Sequence, residues 1–122
     1  MSTRVLIVED EPNIVESLSF LLNRGGFEVA STGDGEAALA ALRSQPARVM
    51  ILDLMLPKAN GFEVLKAVRT DPALAGVRVL ILTAKGQASD RHRAEAIGVD
   101  AFMTKPFSNR EIMSEVRRLA EG

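Results

Sequence analysis

The sequence predicts an α/β protein built on an open, doubly wound, five-stranded parallel sheet with helices on both faces. Three observations predict it. Short apolar runs alternate with amphipathic segments, strand then helix, five times over. The connections are short, so each strand reaches the next through a helical crossover, which demands parallel strands. The strand-like runs lack alternation of apolar and polar residues, so helices must cover the sheet on both sides.

Each element has a local reason. Arg4-Val5-Leu6-Ile7-Val8 is a β-branched apolar run that stops at three acids, Glu9-Asp10-Glu11. Pro12 suits the first turn of a helix, where its missing N–H costs nothing. Ile14, Val15, Leu18, Leu21 and Leu22 give that helix its apolar face, and Gly25-Gly26 end it. Phe27-Glu28-Val29-Ala30 reads as the second strand, broken by Gly33. Asp34 caps a helix with a stripe of Ala37, Ala38, Ala41 and Leu42, which Pro46 closes.

Arg48 to Asp53 is the third strand, apolar until its terminal acid. A loop containing Pro57 leads to a helix that begins at Gly61-Phe62 and ends at Asp71-Pro72. Val77 to Leu82 is the fourth strand and stops at Thr83-Ala84. A weakly apolar helix covers Ala88 to Ile97 and ends at Gly98. Ala101 to Thr104 is the fifth strand, followed by Lys105-Pro106. Ser108 and Glu111 form a Ser-x-x-Glu capping box. Ile112, Met113, Val116 and Leu119 give the last helix its buried side. Residues 1–122 read as a single domain without linker or repeat.

Composition excludes several functions. Apolar residues make up 47% of the chain and charged residues 25%, a soluble globular balance. The formal net charge of -1 favours neither direct nucleic-acid binding nor an anionic membrane surface. Cysteine is absent, which removes disulfides and thiolate metal sites. No apolar stretch approaches the ~20 residues of a membrane span. A cytoplasmic location is the default expectation.

In sheets of this kind the site lies beyond the carboxyl ends of the strands. Those ends supply Glu9 and Asp10, then Asp53, then Thr83, then Lys105. Two carboxylates ~4 Å apart repel by about 4 kcal/mol at an effective dielectric of ~20. Lys105 and a divalent metal can offset that repulsion. All-oxygen ligands favour Mg²⁺ over zinc. Asp53 is then a nucleophile towards phosphorus, and Thr83 and Lys105 neutralise charge on the phosphoryl oxygens.

Four blocks carry a resemblance. They are Val5-Leu6-Ile7-Val8-Glu9-Asp10-Glu11-Pro12, Leu52-Asp53-Leu54-Met55-Leu56-Pro57 with Gly61, Leu82-Thr83-Ala84, and Lys105-Pro106-Phe107. In this order and spacing the chain resembles, over essentially its whole length, the CheY-like receiver domain of two-component response regulators. The resemblance implies a flavodoxin-like (βα)5 fold with strand order 2-1-3-4-5. It makes Asp53 the phosphoacceptor and Asp10 a direct Mg²⁺ ligand. Glu9 acts on the metal through water or by positioning it, and the Met55 carbonyl is a further ligand. Thr83 and Lys105 bind the phosphoryl group, Phe102 takes the aromatic switch position, and the Lys105-Pro106 bond is cis.

The resemblance also implies partners. Upstream stands a histidine kinase or phosphotransfer protein. Downstream stands a protein target, or an output domain outside this chain, reached through the face of the fourth helix, fifth strand and fifth helix. The domain would catalyse only its own phosphorylation and dephosphorylation. Arg91 and Glu111 match one ion pair of the regulators that dimerise through that face when phosphorylated. Asp100 and Arg117 are compatible with it, whereas Ala101 and Glu115 are not. Phe102 lacks the phenol of the more frequent Tyr, so only ring burial can report the switch, with the ring expected inward when Asp53 is phosphorylated. Met55 and Lys85 flank the acyl phosphate without a carboxylate or amide to orient water, so slow self-hydrolysis is expected. His92 is expected on an exposed helix face. A flavin carrier would need a Gly/Ser/Thr-rich loop where Glu9-Asp10-Glu11 stand. A haloacid-dehalogenase phosphatase would need a second Asp where Met55 stands.

Overall fold

The computed structural model describes residues 2–56, 60–84 and 86–121. Its elements are β1 (Arg4–Val8), α1 (Pro12–Arg24), β2 (Glu28–Thr32), α2 (Gly35–Ser44), β3 (Val49–Leu52), α3 (Gly61–Thr70), β4 (Arg78–Thr83), α4 (Ala88–Ile97), β5 (Ala101–Thr104) and α5 (Asn109–Glu121). The strands form one sheet in the order β2-β1-β3-β4-β5, with every neighbouring pair parallel.

The two-residue side-chain period of the strands makes two separate cores. Leu6, Val8, Met50, Leu52, Val79 and Ile81 pack with Ala38 and Leu42 of α2, with α3, and with Ala94 of α4. Val5, Ile7, Val49, Ile51, Leu80 and Leu82 point the other way, onto Leu18 and Leu22 of α1 and Ile112, Val116 and Leu119 of α5. Strands buried on both sides explain why their sequences show no polar alternation.

The caps follow local chemistry. Asp34 Oδ1 accepts from the Ala37 N–H at 2.8 Å, and Asn60 Oδ1 accepts from the Phe62 N–H at 2.7 Å. Ser108 Oγ accepts from the Glu111 N–H at 3.3 Å, the half of the expected capping box that the hydrogen bonds show. The second strand differs from the sequence reading, which ran from Phe27 to Ala30. The Phe27 N–H is spent on the Leu22 carbonyl as the close of α1, at 3.0 Å. The strand instead runs on through Ser31 and Thr32, which pair with Ile7 and Val8. Polar residues are tolerated there because β2 is an edge strand.

Arg69 fastens the far side of the sheet. Its guanidinium donates to the carbonyls of Gly98 and Val77, each at 2.7 Å, and to the Asp100 carboxylate. Asp100 in turn accepts the Val79 N–H at 2.8 Å. The end of α3 is thereby tied to the start of both β4 and β5. At the opposite edge, Gly61 opens α3 directly against the chain leaving β3. A Cβ at this position would stand 2.6 Å from Leu54 Cα and 2.7 Å from the Asp53 carbonyl oxygen. Both are backbone atoms and cannot yield.

Two outcomes follow. Arg69→Ala takes the guanidinium from the Gly98 and Val77 carbonyls and leaves Asp100 only the Val79 N–H and the longer contact to Arg78, and urea unfolding should show a loss of about 2 kcal/mol. Gly61→Ala gains at most about 1 kcal/mol of helix propensity, and the clash, costing about 1–3 kcal/mol, should exceed it. The same change at Gly33, whose Cβ would meet only ordinary contacts at 3.9 Å, should stay within about 0.5 kcal/mol.

Candidate functional site

β1 lies at the centre of the sheet, with β2 on one side and β3 on the other. The chain leaves β1 in one direction and returns across it to β3, so a crevice opens between their carboxyl ends. Single ladder bonds carry the backbone past the strand ends into that crevice. The Asp53 N–H donates to Val8 O at 3.1 Å, Glu9 N–H to Thr32 O at 3.0 Å, and Lys105 N–H to Thr83 O at 2.9 Å. The site backbone is thus an extension of the sheet.

The side chains converge as the sequence led us to expect. Glu9 and Asp53 are buried, at 5% and 6% exposure, Thr83 is fully buried, and Asp10 is exposed. Oxygens of Glu9, Asp10 and Asp53 lie within 4.8 Å of one another. Lys105 Nζ donates to Glu9 Oε1 at 2.7 Å and to Asp53 Oδ2 at 3.1 Å. The remaining oxygens are held from below: Glu9 Oε2 accepts from the Glu11 N–H at 3.1 Å, and Asp53 Oδ1 from the Met55 N–H at 3.0 Å. The Lys105-Pro106 bond is cis.

Burial pushes the Glu9 carboxyl above its ordinary value, against the pull of Lys105 and the Glu11 N–H. Burial pulls the Lys105 ammonium down, but its hydrogen bonds to Glu9 and Asp53 win, and it rises. Both partners move upward for different reasons: a carboxylate short of solvent and an amine rich in acceptors. The cluster therefore has spare affinity for positive charge. Its donors are all carboxylate oxygens, the set that suits a hard cation such as Mg²⁺.

Phe102 is buried at 8% exposure and belongs to the core shared with α3 and α4. The Arg91 guanidinium lies 5.3 Å from its ring centroid and donates to its carbonyl at 2.8 Å. Arg91, Phe102 and Glu111 line one cleft of about 520 Å³ between α4, β5 and α5. Sequence reasoning missed the Arg91–Phe102 clamp, because nothing local signals a contact between residues on neighbouring elements. The Met55 side chain is 59% exposed, and His92 is exposed as expected. Asp100 is committed within the chain, to Arg69 and, at 3.6 Å, to Arg78. Pro57 and Lys85 lie outside the described residues.

Comparisons with known proteins agree with this geometry. The model of the response regulator receiver domain matches residues 5–117. The sensory transduction protein RegX3 of Mycolicibacterium smegmatis is 41% identical over 115 residues, covering 94% of this chain and 49% of the relative. The alkaline phosphatase synthesis transcriptional regulatory protein PhoP of Bacillus subtilis is 38% identical over 119 residues, covering 98% and 49%. The chain thus spans about half the length of the curated relatives it matches. Among solved structures, the chemotaxis protein CheY4 of Vibrio cholerae superposes with a TM-score of 0.91 at 29% identity, covering 98% of this chain and 99% of that one. The signal receiver domain of a histidine kinase from Syntrophus aciditrophicus does so with a TM-score of 0.92 at 29% identity, covering 99% and 92%. With the fold, the acidic crevice and the family model in agreement, the chain belongs to the receiver domains of two-component response regulators.

Proposed function

We propose that Asp53 is the phosphoacceptor of this receiver and that the chain acts as a phosphorylation switch. The observation that carries the reading is the single ammonium of Lys105 shared between Glu9 and Asp53 beside a third carboxylate. Three acids and one amine on a sheet edge are poor for stability and well suited to a transferring phosphoryl group. An Asp53 oxygen attacks phosphorus on the phospho-histidine of a histidine kinase or phosphotransfer protein. The P–N bond breaks, the imidazole leaves, and an acyl phosphate forms on Asp53.

Lys105 Nζ, already 3.1 Å from Asp53 Oδ2, remains beside the new phosphoryl oxygens. The Thr83 hydroxyl, at the end of β4, donates to another. Asp10, Glu9, Asp53 and the Met55 carbonyl are the groups that would hold Mg²⁺. When bound, that ion supplies positive charge opposite the acids and the phosphoryl oxygens. The domain catalyses its own phosphorylation and dephosphorylation and acts on no other substrate. Among the described residues no helix is long and apolar enough to cross a membrane.

Output passes through Phe102. Movement of Thr83 towards the phosphoryl group changes the packing around Phe102, and the Arg91 clamp transmits the change to the α4–β5–α5 face. That face meets a downstream protein or an output domain. The relatives' greater length, and PhoP of Bacillus subtilis being a transcriptional regulatory protein, support an attached output domain. Residues 1–122 would then be one receiver unit within it.

Acetyl phosphate or beryllofluoride with Mg²⁺ should modify or bind wild-type protein and leave Asp53→Asn unchanged, as read by intact mass and by two-dimensional NMR. A wild-type chain that takes neither reagent overturns the reading. Neither Met55 nor Lys85 carries a group to orient water, so the acyl phosphate should decay over minutes or longer. Phosphate release complete within seconds would contradict the role given to Met55 and Lys85.

A further inference from the structure

α4 is the helix with the weakest hold on the sheet. Its buried residues are Asp90 and Ala94, and Ile97 is its only larger apolar side chain packed on the core. Its cap, Gln87, makes no side-chain hydrogen bond, unlike Asp34 of α2 and Asn60 of α3. Asp90 is the anomaly. It is 9% exposed, on the side of α4 that carries Ala94 and Ile97. Its Oδ2 is the one buried side-chain oxygen among the described residues with no hydrogen-bond partner. Among the described residues the nearby cations do not serve it. Arg91 is spent on the ring and carbonyl of Phe102, and Arg93 lies 4.1 Å from the centroid of Phe62.

A buried carboxylate oxygen without a donor destabilises the arrangement that buries it. Here that arrangement is the seat of α4 on the sheet. Residues 84–87 join the first turn of α4 to Thr83 at the end of β4. Force applied at Thr83 therefore reaches the turn that holds Asp90 before any other part of α4.

We infer that Asp90 is a conformational bias built into α4, and that phosphorylation of Asp53 draws on it. Its unpartnered carboxylate keeps the observed seat of α4 close in free energy to a second seat in which Asp90 reaches solvent. A phosphoryl group on Asp53 needs to supply only the remaining difference. The coupling rests on the phosphoacceptor reading above; the bias itself does not. The opposing account is that Asp90 stabilises α4 by complementing the helix dipole from its first turn. The two accounts give effects of opposite sign.

The test compares wild type with Asp90→Asn, which keeps shape and helix propensity while removing the charge. Asp90→Ala, which has no side-chain polar atom, is the second variant. Urea unfolding should show an unfolding equilibrium constant about tenfold smaller for both variants. The apparent dissociation constant for beryllofluoride with Mg²⁺ should rise by a similar factor, about tenfold, because the competent seat becomes rarer. Variants less stable than wild type overturn the bias and favour the dipole account. Variants that gain stability but bind beryllofluoride as wild type does overturn the coupling. If wild type binds no beryllofluoride the phosphoacceptor reading fails, and the unfolding arm still decides whether Asp90 is a bias.

Discussion

The Lys105 ammonium is the interaction on which the site depends. Three carboxylates at one sheet edge repel, and two of them are nearly inaccessible to water. One amine, bonded to both Glu9 and Asp53, makes that placement tolerable without making it comfortable. Everything nearby keeps the amine and the acids in register. Ladder bonds carry the backbone of Glu9, Asp53 and Lys105 beyond the strands. Gly61 lets α3 begin against the chain just after Asp53, so a helix braces the loop that a larger residue would push away. Residual demand for positive charge is the property the site offers to a metal and a phosphoryl group.

Much of this was legible in the sequence, for physical reasons. A strand buried on both sides reads as an unbroken apolar run, so an acid at its end stands out. Glu9, Asp53 and Thr83 each close such a run, Lys105 follows the edge strand β5, and the doubly wound order brings the ends together. Caps such as Asp34 were legible because capping is a three-residue event. The edge strand β2 was harder. Ser31 and Thr32 look like loop residues, and only pairing to Ile7 and Val8 makes them strand. Asp100 resembled a surface acid free for a partner, since nothing local announces Arg69, 31 residues earlier. Phe102 was legible as an aromatic near the site, but its Arg91 clamp needed the register of α4 on β5.

The two faces of the sheet differ in how firmly they are covered. α1 and α5 set rows of large apolar residues on one side. On the other, α3 does the same and α2 adds Leu42 beside Ala38, while α4 offers small residues, a half-buried Ile97 and an acid. Arg91 and Arg93 both lie on aromatic rings that belong to neighbouring elements, contacts worth about 0.5–1 kcal/mol each at exposed positions. Such holds keep a helix in place and are weak enough to exchange. The sheet is buried through β1, β3 and β4 and thinly covered at α4.

Glu9 and Lys105 are 96 residues apart in the chain. On a ribosome the acids of β1 and β3 emerge long before the amine that offsets them. Until β5 pairs with β4, the acidic edge lacks Lys105 and the Thr83–Lys105 ladder bond that fixes its geometry. A fragment that ends between Asp53 and Lys105 carries the acid but not the amine beside it. For Glu9 to meet Lys105, the first and the last strands must both be in place.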